Sequence, residues 1–184
     1  MAFDATYDAC VLHPAGLRDL LVRLASTGMF RAHWSADILD EMVRSILRRR
    51  PDLTEAQLAR TRQLMCDAVP DCLTTGYEEL IDGLHLPDPD DRHVLAAAIR
   101  SGSQVIVTEN LSDFPAHVLQ TYNIEAQTPH VFLLHLVDLS PRTVFGVLEA
   151  QASALRNPPM SIDELLDRLA QSGLPRSIAA LRSR

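Results

Sequence analysis

Lysine is absent from this sequence: all seventeen basic residues among its 184 are arginines. A P-loop needs its lysine to reach the phosphates, and PLP enzymes and other Schiff-base enzymes need one for imine formation. Receiver domains and haloacid-dehalogenase-type phosphatases also place an acid after their first strand, but both normally use a catalytic lysine. The lack of lysine therefore argues against all of these classes.

Cysteines are few, and long apolar runs are missing. Cys10, Cys66 and Cys72 are odd in number and show no CxxC spacing, which argues against a disulfide framework or a zinc site. No stretch approaches the roughly 20 apolar residues of a membrane helix. The N-terminal segment MAFDATYDAC has an acid where a secretory signal would have a positive charge. We therefore expect a cytoplasmic protein with no membrane span.

Positive charge is scarce as well. With 24 acidic and 17 basic residues the formal net charge is −7. A protein that grips nucleic acid mainly by electrostatics would be basic, so this balance disfavours a simple nucleic-acid binder. It does not exclude an enzyme that reaches phosphate through metal ions. The length and the 47% hydrophobic content fit one globular domain with a proper core.

The order of apolar patterns predicts an α/β fold. We expect a first buried strand over 3–12 and a central parallel strand over 104–108, with capped helices between them. Strands separated by helices indicate a three-layer α/β/α sandwich around a central parallel sheet. We expect this domain to cover residues 1–137, followed by a helical C-terminal extension over 138–184. The predicted helices cover residues 15–25, 36–49, 54–68, 89–101, 128–137 and 141–155.

The segment LPDPDDRHVLAAAI crowds three aspartates before an apolar helix. Pro89 suits a first helical position, which makes Asp88 the natural N-cap. Asp90 and Asp91 are then left without a capping role. Asp91 lies one turn before Leu95 and is aligned with the core-facing edge of the helix, so we favour Asp91 over Asp90 as a functional acid.

Three other loci that contain an acidic residue are expected at the same edge of the predicted sheet. Asp8 lies beside the apolar run ACVL, Glu41 lies at the edge of a buried helical stripe, and Asn110 and Asp113 follow the QVIVT strand. Each has an ordinary structural explanation: a helix cap for Asp8, a solvated boundary residue for Glu41, and turn formation for the loop. Ligands of an open parallel sheet sit beyond the carboxyl ends of its strands, where these positions are expected.

Taken together, these acids predict a metal site. Several carboxylates in one cleft repel one another and resist ionisation unless a cation neutralises them. Ligand sets made only of oxygen select hard cations such as Mg²⁺ or Mn²⁺.

The order of four segments resembles a known family. YDACVL, WSADILDEMVRSIL, DPDDRHVLAAAI and VIVTENLSDFP are similar to the PIN domain, and more narrowly to the VapC-type ribonuclease toxins of bacterial toxin–antitoxin pairs. The likeness covers residues 3–137. Its pattern is an early Asp after hydrophobic residues, a helical Glu, an Asp that opens a helix, and T-x-D/N after a strand. In this sequence the matching residues are Asp8, Glu41, Asp91 and Asn110.

The resemblance implies Mg²⁺- or Mn²⁺-dependent endonucleolytic cleavage of RNA, with no side-chain nucleophile. The implied metal and catalytic residues are Asp8, Glu41, Asp91 and Asp113. Thr108 and Asn110 are expected to orient water or a ligand. Arg18, Arg44 and the 48–50 run are candidates for contacts to phosphate, although arginines also suit a helix C-terminus for electrostatic reasons alone. Of the seven histidines, His93 or His33 is expected near the cleft.

The sequence also departs from the family pattern. Asn110 stands where the family usually has Asp, so either Asp113 supplies the fourth carboxylate or the site holds a second metal poorly. Asn110 also keeps open the alternative of a catalytically silent PIN-fold binding module. The resemblance further implies a cognate antitoxin protein as partner, and a homodimer formed through the helices between residues 36 and 68.

Overall fold

The computed structural model describes residues 3–171 and 174–182. Its centre is a four-stranded sheet in the order β2-β1-β3-β4, in which every neighbouring pair is parallel. The prediction of an α/β fold around a central parallel sheet is confirmed. The strands are β1 (Phe3–Tyr7), β2 (Phe30–His33), β3 (Val105–Val107) and β4 (Glu125–Gln127).

Helices connect the strands and form the C-terminal region. The ends of α3 and α4 are those predicted, because each has a capping residue that the sequence displays: Ser35 accepts from the Ile38 amide, and Thr54 and Gln57 form a capping box. The helices are α1 (Ala9–Leu12), α2 (Ala15–Ala25), α3 (Ala36–Arg49), α4 (Glu55–Ala68), α5 (Glu78–Ile81), α6 (Arg92–Ser101), α7 (Ala116–Leu119), α8 (Pro129–Leu139), α9 (Pro141–Ala154), α10 (Ile162–Gln171) and α11 (Pro175–Arg182).

Side chains of β1 point alternately to the two faces of the sheet, and helices pack on both faces. Tyr7 faces α2 and α8: its hydroxyl donates to the Leu21 carbonyl at 3.1 Å, and Phe132 of α8 meets its ring edge-on. Thr6 points the other way, where its hydroxyl lies 2.8 Å from that of Ser103, just beyond α6. Because successive strand residues face opposite sides, Tyr7 joins an aromatic cluster on one side of the sheet, and Thr6 lies on the other side, where α6 packs through small and aliphatic residues.

The first strand is shorter than predicted. The expectation of one strand over residues 3–12 is wrong: β1 ends at Tyr7, and residues 9–12 form the helix α1 with Asp8 at its N-cap position. An unbroken run of apolar residues fits a buried strand and a buried helical turn equally well. Its parallel partner β3 ends at Val107, level with Tyr7, so nothing remains to pair with residues 9–12.

The helices of the described residues are at most 14 residues long. No single helix among them has the length and apolar character to cross a bilayer. Taken together, α8 and α9 have the length and apolar composition of a membrane span, but the two helices are bent by 120° at their junction.

A buried ion cluster joins β1 to β2. The Asp4 side chain is only 8% exposed, and Arg31 donates to both of its carboxylate oxygens at 2.8 and 2.6 Å. His33 Nε2 lies 2.8 Å from Asp4 Oδ1. Burial raises the pKa of Asp4, but the hydrogen bonds and charges of Arg31 and His33 outweigh it, so the pKa lies below its ordinary value.

We expect Asp4→Asn to lower the free energy of unfolding by about 2 kcal/mol at pH 7, because it leaves His33 without its charged partner. A carboxylate whose pKa is lowered in the folded state stabilises the protein above its unfolded pKa, about 3.9, and loses that effect as pH falls. Urea unfolding at pH 7 and at about pH 2.5, below the unfolded pKa, should therefore show the gap between wild type and variant shrinking in acid. Asp52→Asn, which breaks an exposed pair with Arg50, is the control and should change little. A gap that is independent of pH would contradict this account.

Candidate active site

Three of the predicted site segments meet at the carboxyl edge of the sheet. Asp8 directly follows β1, the Thr108–Asp113 loop directly follows β3, and α3 begins after β2. The chain goes from β1 to β2 on one side and later enters β3 on the other, so the strand order reverses between β1 and β3. Open α/β sheets bind ligands at such a switch point.

Asp8 is fixed at the bottom of this cleft. Its residue is only 2% exposed, and its Oδ2 accepts hydrogen bonds from Thr108 Oγ1 at 2.7 Å and from the Cys10 thiol at 3.0 Å. Burial and the neighbouring Asp8 charge raise the pKa of Cys10 far above its ordinary value, so the thiol stays protonated and acts as a donor. The Asp8 amide donates to Val107 at 3.1 Å, which attaches this turn to β3.

Asp91 is the acid most affected by the others. A single 3-10 turn, Pro89–Asp91, precedes α6, and Asp88 accepts from the Asp90 amide as predicted for an N-cap. Partial burial, followed by the charges of Asp8 and Asp113 and then of Asp88 and Glu41, raises the pKa of Asp91 to about 7. Three loci that are distant in sequence, together with the neighbouring Asp88, therefore act electrostatically on one carboxyl group.

Glu41 lies across the cleft in the second turn of α3 and is paired with a histidine. His93 Nε2 is 3.3 Å from Glu41 Oε2, with the two side chains 16% and 38% exposed. This hydrogen bond, together with the charges of His93, Arg44 and Arg48, outweighs burial and lowers the pKa of Glu41. His93 Nδ1 is buried and has no hydrogen-bond partner among the described residues. Of the two histidines expected near the cleft, His93 contacts a site acid, whereas His33 pairs with Asp4.

The sequence leaves two choices open, Asp90 or Asp91 and Asn110 or Asp113, and the members of each pair differ in their surroundings. Asp91 is half-buried and Asp90 is exposed. Asp113 is half-buried and its charge acts on Asp91, whereas Asn110 is exposed and its backbone amide donates to Thr108 Oγ1 at 3.0 Å. The structure thus groups Asp91 and Asp113 with the other acids, and it gives Asn110 a place in the loop that supports Thr108.

The two candidate arginines have different surroundings. Arg44 is exposed on α3, and its charge reaches Glu41. Arg18 Nη1 instead donates to the carbonyls of Leu12 and His13 at 2.7 and 3.2 Å, at the end of α1. Arg18 therefore holds the chain where α1 ends, and Arg44 is the arginine beside the acids.

The donor set fits a hard divalent cation, because it consists of carboxylates that destabilise one another as anions. In residues 3–171 and 174–182, however, no three His, Cys, Asp or Glu side chains are already arranged as the ligands of one metal ion. A cation would therefore have to draw the side chains of Glu41, Asp91 and Asp113 inward, while Asp8 is held by its hydrogen bonds.

Fold and cleft together define an α/β protein with an acidic switch-point site. The chain belongs to the PIN domain family, whose model matches residues 4–112, more than half of the chain. A second family model, the VapC50 C-terminal domain, matches residues 129–183.

The chain is also similar to a protein of Mycobacterium tuberculosis (strain ATCC 25618 / H37Rv) that is named "Putative ribonuclease VapC50". The two are 40% identical over 108 residues, which cover 56% of this chain and 63% of the relative. The match thus spans less than two thirds of the relative's length. No solved structure matches the chain.

Proposed function

We propose that this protein is a metal-dependent endoribonuclease that hydrolyses RNA phosphodiester bonds. Asp8, Glu41, Asp91 and Asp113 would hold Mg²⁺ or Mn²⁺. The bound cation would supply Lewis acidity, easing deprotonation of water and neutralising charge on the phosphate. The chain's own residues set up this chemistry: Thr108 fixes the Asp8 carboxylate, and the exposed Arg44 faces an incoming phosphate.

The raised pKa of Asp91 is the observation that supports this proposal most directly. Placing Asp91 where the charges of four other acids oppose its ionisation does not stabilise the fold. Such an arrangement is expected where a site must attract positive charge, since perturbed acids cluster at functional sites. The name of the M. tuberculosis relative points to the same activity.

The test is cleavage of single-stranded RNA by the purified full-length chain. We expect cleavage with Mn²⁺, none beyond the buffer blank with EDTA, and recovery when Mn²⁺ is added back in excess. Cleavage that persists in EDTA would contradict metal dependence. Absence of cleavage under every metal condition, with RNA still bound, would instead identify the silent binding module.

The proposal extends to partners. The relative's name places it among the VapC proteins, and on that basis we propose an antitoxin protein that covers the acidic cleft and silences the enzyme. We also propose a homodimer formed through α3 and α4. Light scattering at micromolar concentration tests the dimer, and a strict monomer would contradict it.

A further inference from the structure

A second, positively charged cavity lies away from the acids. It has a volume of about 360 Å³ and is bordered by the turn between α1 and α2, the end of α3 and the start of α4. Its polar lining includes His13, Arg18, Arg49 and Gln57. The volume is at the lower end of the range for small-ligand pockets, roughly 300–1,000 Å³.

Acids neutralise only part of the positive charge around this cavity, because the charge of Asp19 acts on Arg18. Arg50 is paired with Asp52, but Arg49 has no ion-pair partner among the described residues. Arg49 Nη1 instead contacts His13 Nε2. Burial, then the charges of Arg49 and Arg18, lowers the pKa of His13, which favours the neutral ring that accepts this hydrogen bond.

Helix electrostatics explain only part of this cluster. Arg49 is in the last turn of α3, where the helix dipole favours a cation. Arg18 is in the first turn of α2, where the dipole disfavours one, and the carbonyls at the end of α1 hold it there. Two helices thus direct cations to one cavity, in a chain whose formal net charge is −7.

The cavity is connected to the candidate active site through α1. Asp8 is the N-cap and His13 the C-cap of this helix. At 1.5 Å per residue the two caps are about 7.5 Å apart along the axis, which is close to the spacing of neighbouring phosphates in a single strand. The exposed Arg44 and Arg48 lie on α3 between Glu41 and Arg49. A basic track therefore runs from the acids to the cavity.

We propose that the cavity lined by His13, Arg18 and Arg49 binds a backbone phosphate of the RNA strand, about one nucleotide from the scissile bond, with Arg49 as the direct contact. This inference rests on the proposed ribonuclease function for its ligand class. It needs no metal, because guanidinium groups bind phosphate directly. Binding in EDTA can therefore be separated from cleavage.

The experiment measures binding of a fluorescent single-stranded RNA of about 12 nucleotides by anisotropy, in EDTA, over a series of salt concentrations. Arg49→Ala is expected to weaken binding about fivefold and to reduce the slope of log K against log salt by about 0.7, the loss of one phosphate contact. Arg49→Lys retains the charge and should retain the slope. Arg60→Ala is the matched control, since Arg60 is exposed on α4 and does not line this cavity.

The outcomes separate this inference from the proposed function. Wild-type affinity and slope in Arg49→Ala, or no wild-type binding in EDTA, would overturn the phosphate subsite. Mn²⁺-dependent cleavage could still be found in that case, and the ribonuclease proposal would stand. RNA binding that depends on Arg49, without cleavage under any metal condition, would support the subsite and contradict the nuclease.

Discussion

Asp91→Asn is expected to slow metal-stimulated RNA cleavage about a thousandfold. The substitution keeps the size of the side chain but removes one of the four proposed metal-binding carboxylates, the one on which the charges of Asp8, Asp113 and Glu41 act. Losing about 4 kcal/mol of transition-state stabilisation corresponds to this factor. Initial rates with saturating Mn²⁺ provide the measurement.

The neighbouring residue supplies a matched control. Asp90→Asn makes the same chemical change one position earlier, on an exposed side chain. The backbone amide of this residue donates to Asp88 and is unaffected by the substitution. The substitution should leave the rate within about twofold, because surface substitutions away from a site have small effects. Equal losses in the two variants would contradict the choice of Asp91 as the third acid.

The Asp91→Asn variant should be more stable than wild type when metal is removed. At pH 8 in EDTA, Asp91 is ionised in spite of a pKa raised to about 7, so the folded protein carries the cost of burying this charge and of its repulsion by the other acids. After allowance for solvent screening of a half-exposed group, relief of this repulsion is worth about 1 kcal/mol, or about 2–4 °C in Tm. A lower Tm for Asp91→Asn would contradict the repulsion.

Thr108→Val is expected to reduce cleavage about 10- to 100-fold without touching any of the four acids. Valine has nearly the same shape as threonine but cannot donate to Asp8 Oδ2, so the buried carboxylate loses its shortest hydrogen bond, at 2.7 Å. It also cannot accept from the Asn110 amide, which loosens the loop that carries Asp113. The concentration of Mn²⁺ for half-maximal rate should rise together with the loss in rate.

Thr108→Ser distinguishes orientation of Asp8 from simple packing. Serine keeps the hydroxyl and loses one buried methyl group, so we expect most of the rate and a normal Mn²⁺ requirement. If Thr108→Val has a normal Mn²⁺ requirement and merely less folded protein, then Thr108 acts through stability and not by positioning Asp8.

The elements that could be predicted from sequence are those with local signals. Ser35 and Thr54 begin their helices as expected, because a cap accepts a hydrogen bond from an amide only three residues away. The prediction of Asp88 as the cap is confirmed as well, because Pro89 is a local signal for the first helical position. The first strand was predicted too long because residues 9–12 carry no such signal.

Contacts between distant segments could not be obtained from one sequence. The Asp4 cluster depends on the register that sets Arg31 beside Asp4, and the pairing of Glu41 with His93 depends on how α3 and α6 cross. Neither follows from spacing along the chain. The sequence predicts which acids converge from the carboxyl ends of parallel strands and from family resemblance, whereas the shift in the pKa of Asp91 is a property of the folded chain.

Phe132 of α8 contacts Phe3, Tyr7 and Phe30 on the aromatic face of the sheet. It lies within the segment that matches the VapC50 C-terminal domain, yet the rings it covers lie within the PIN match. The two matched regions thus share one hydrophobic interior. A shortened chain that stops before α8 would expose those rings to water, so we expect that the modules distinguished by family comparison do not fold independently when separated at that point.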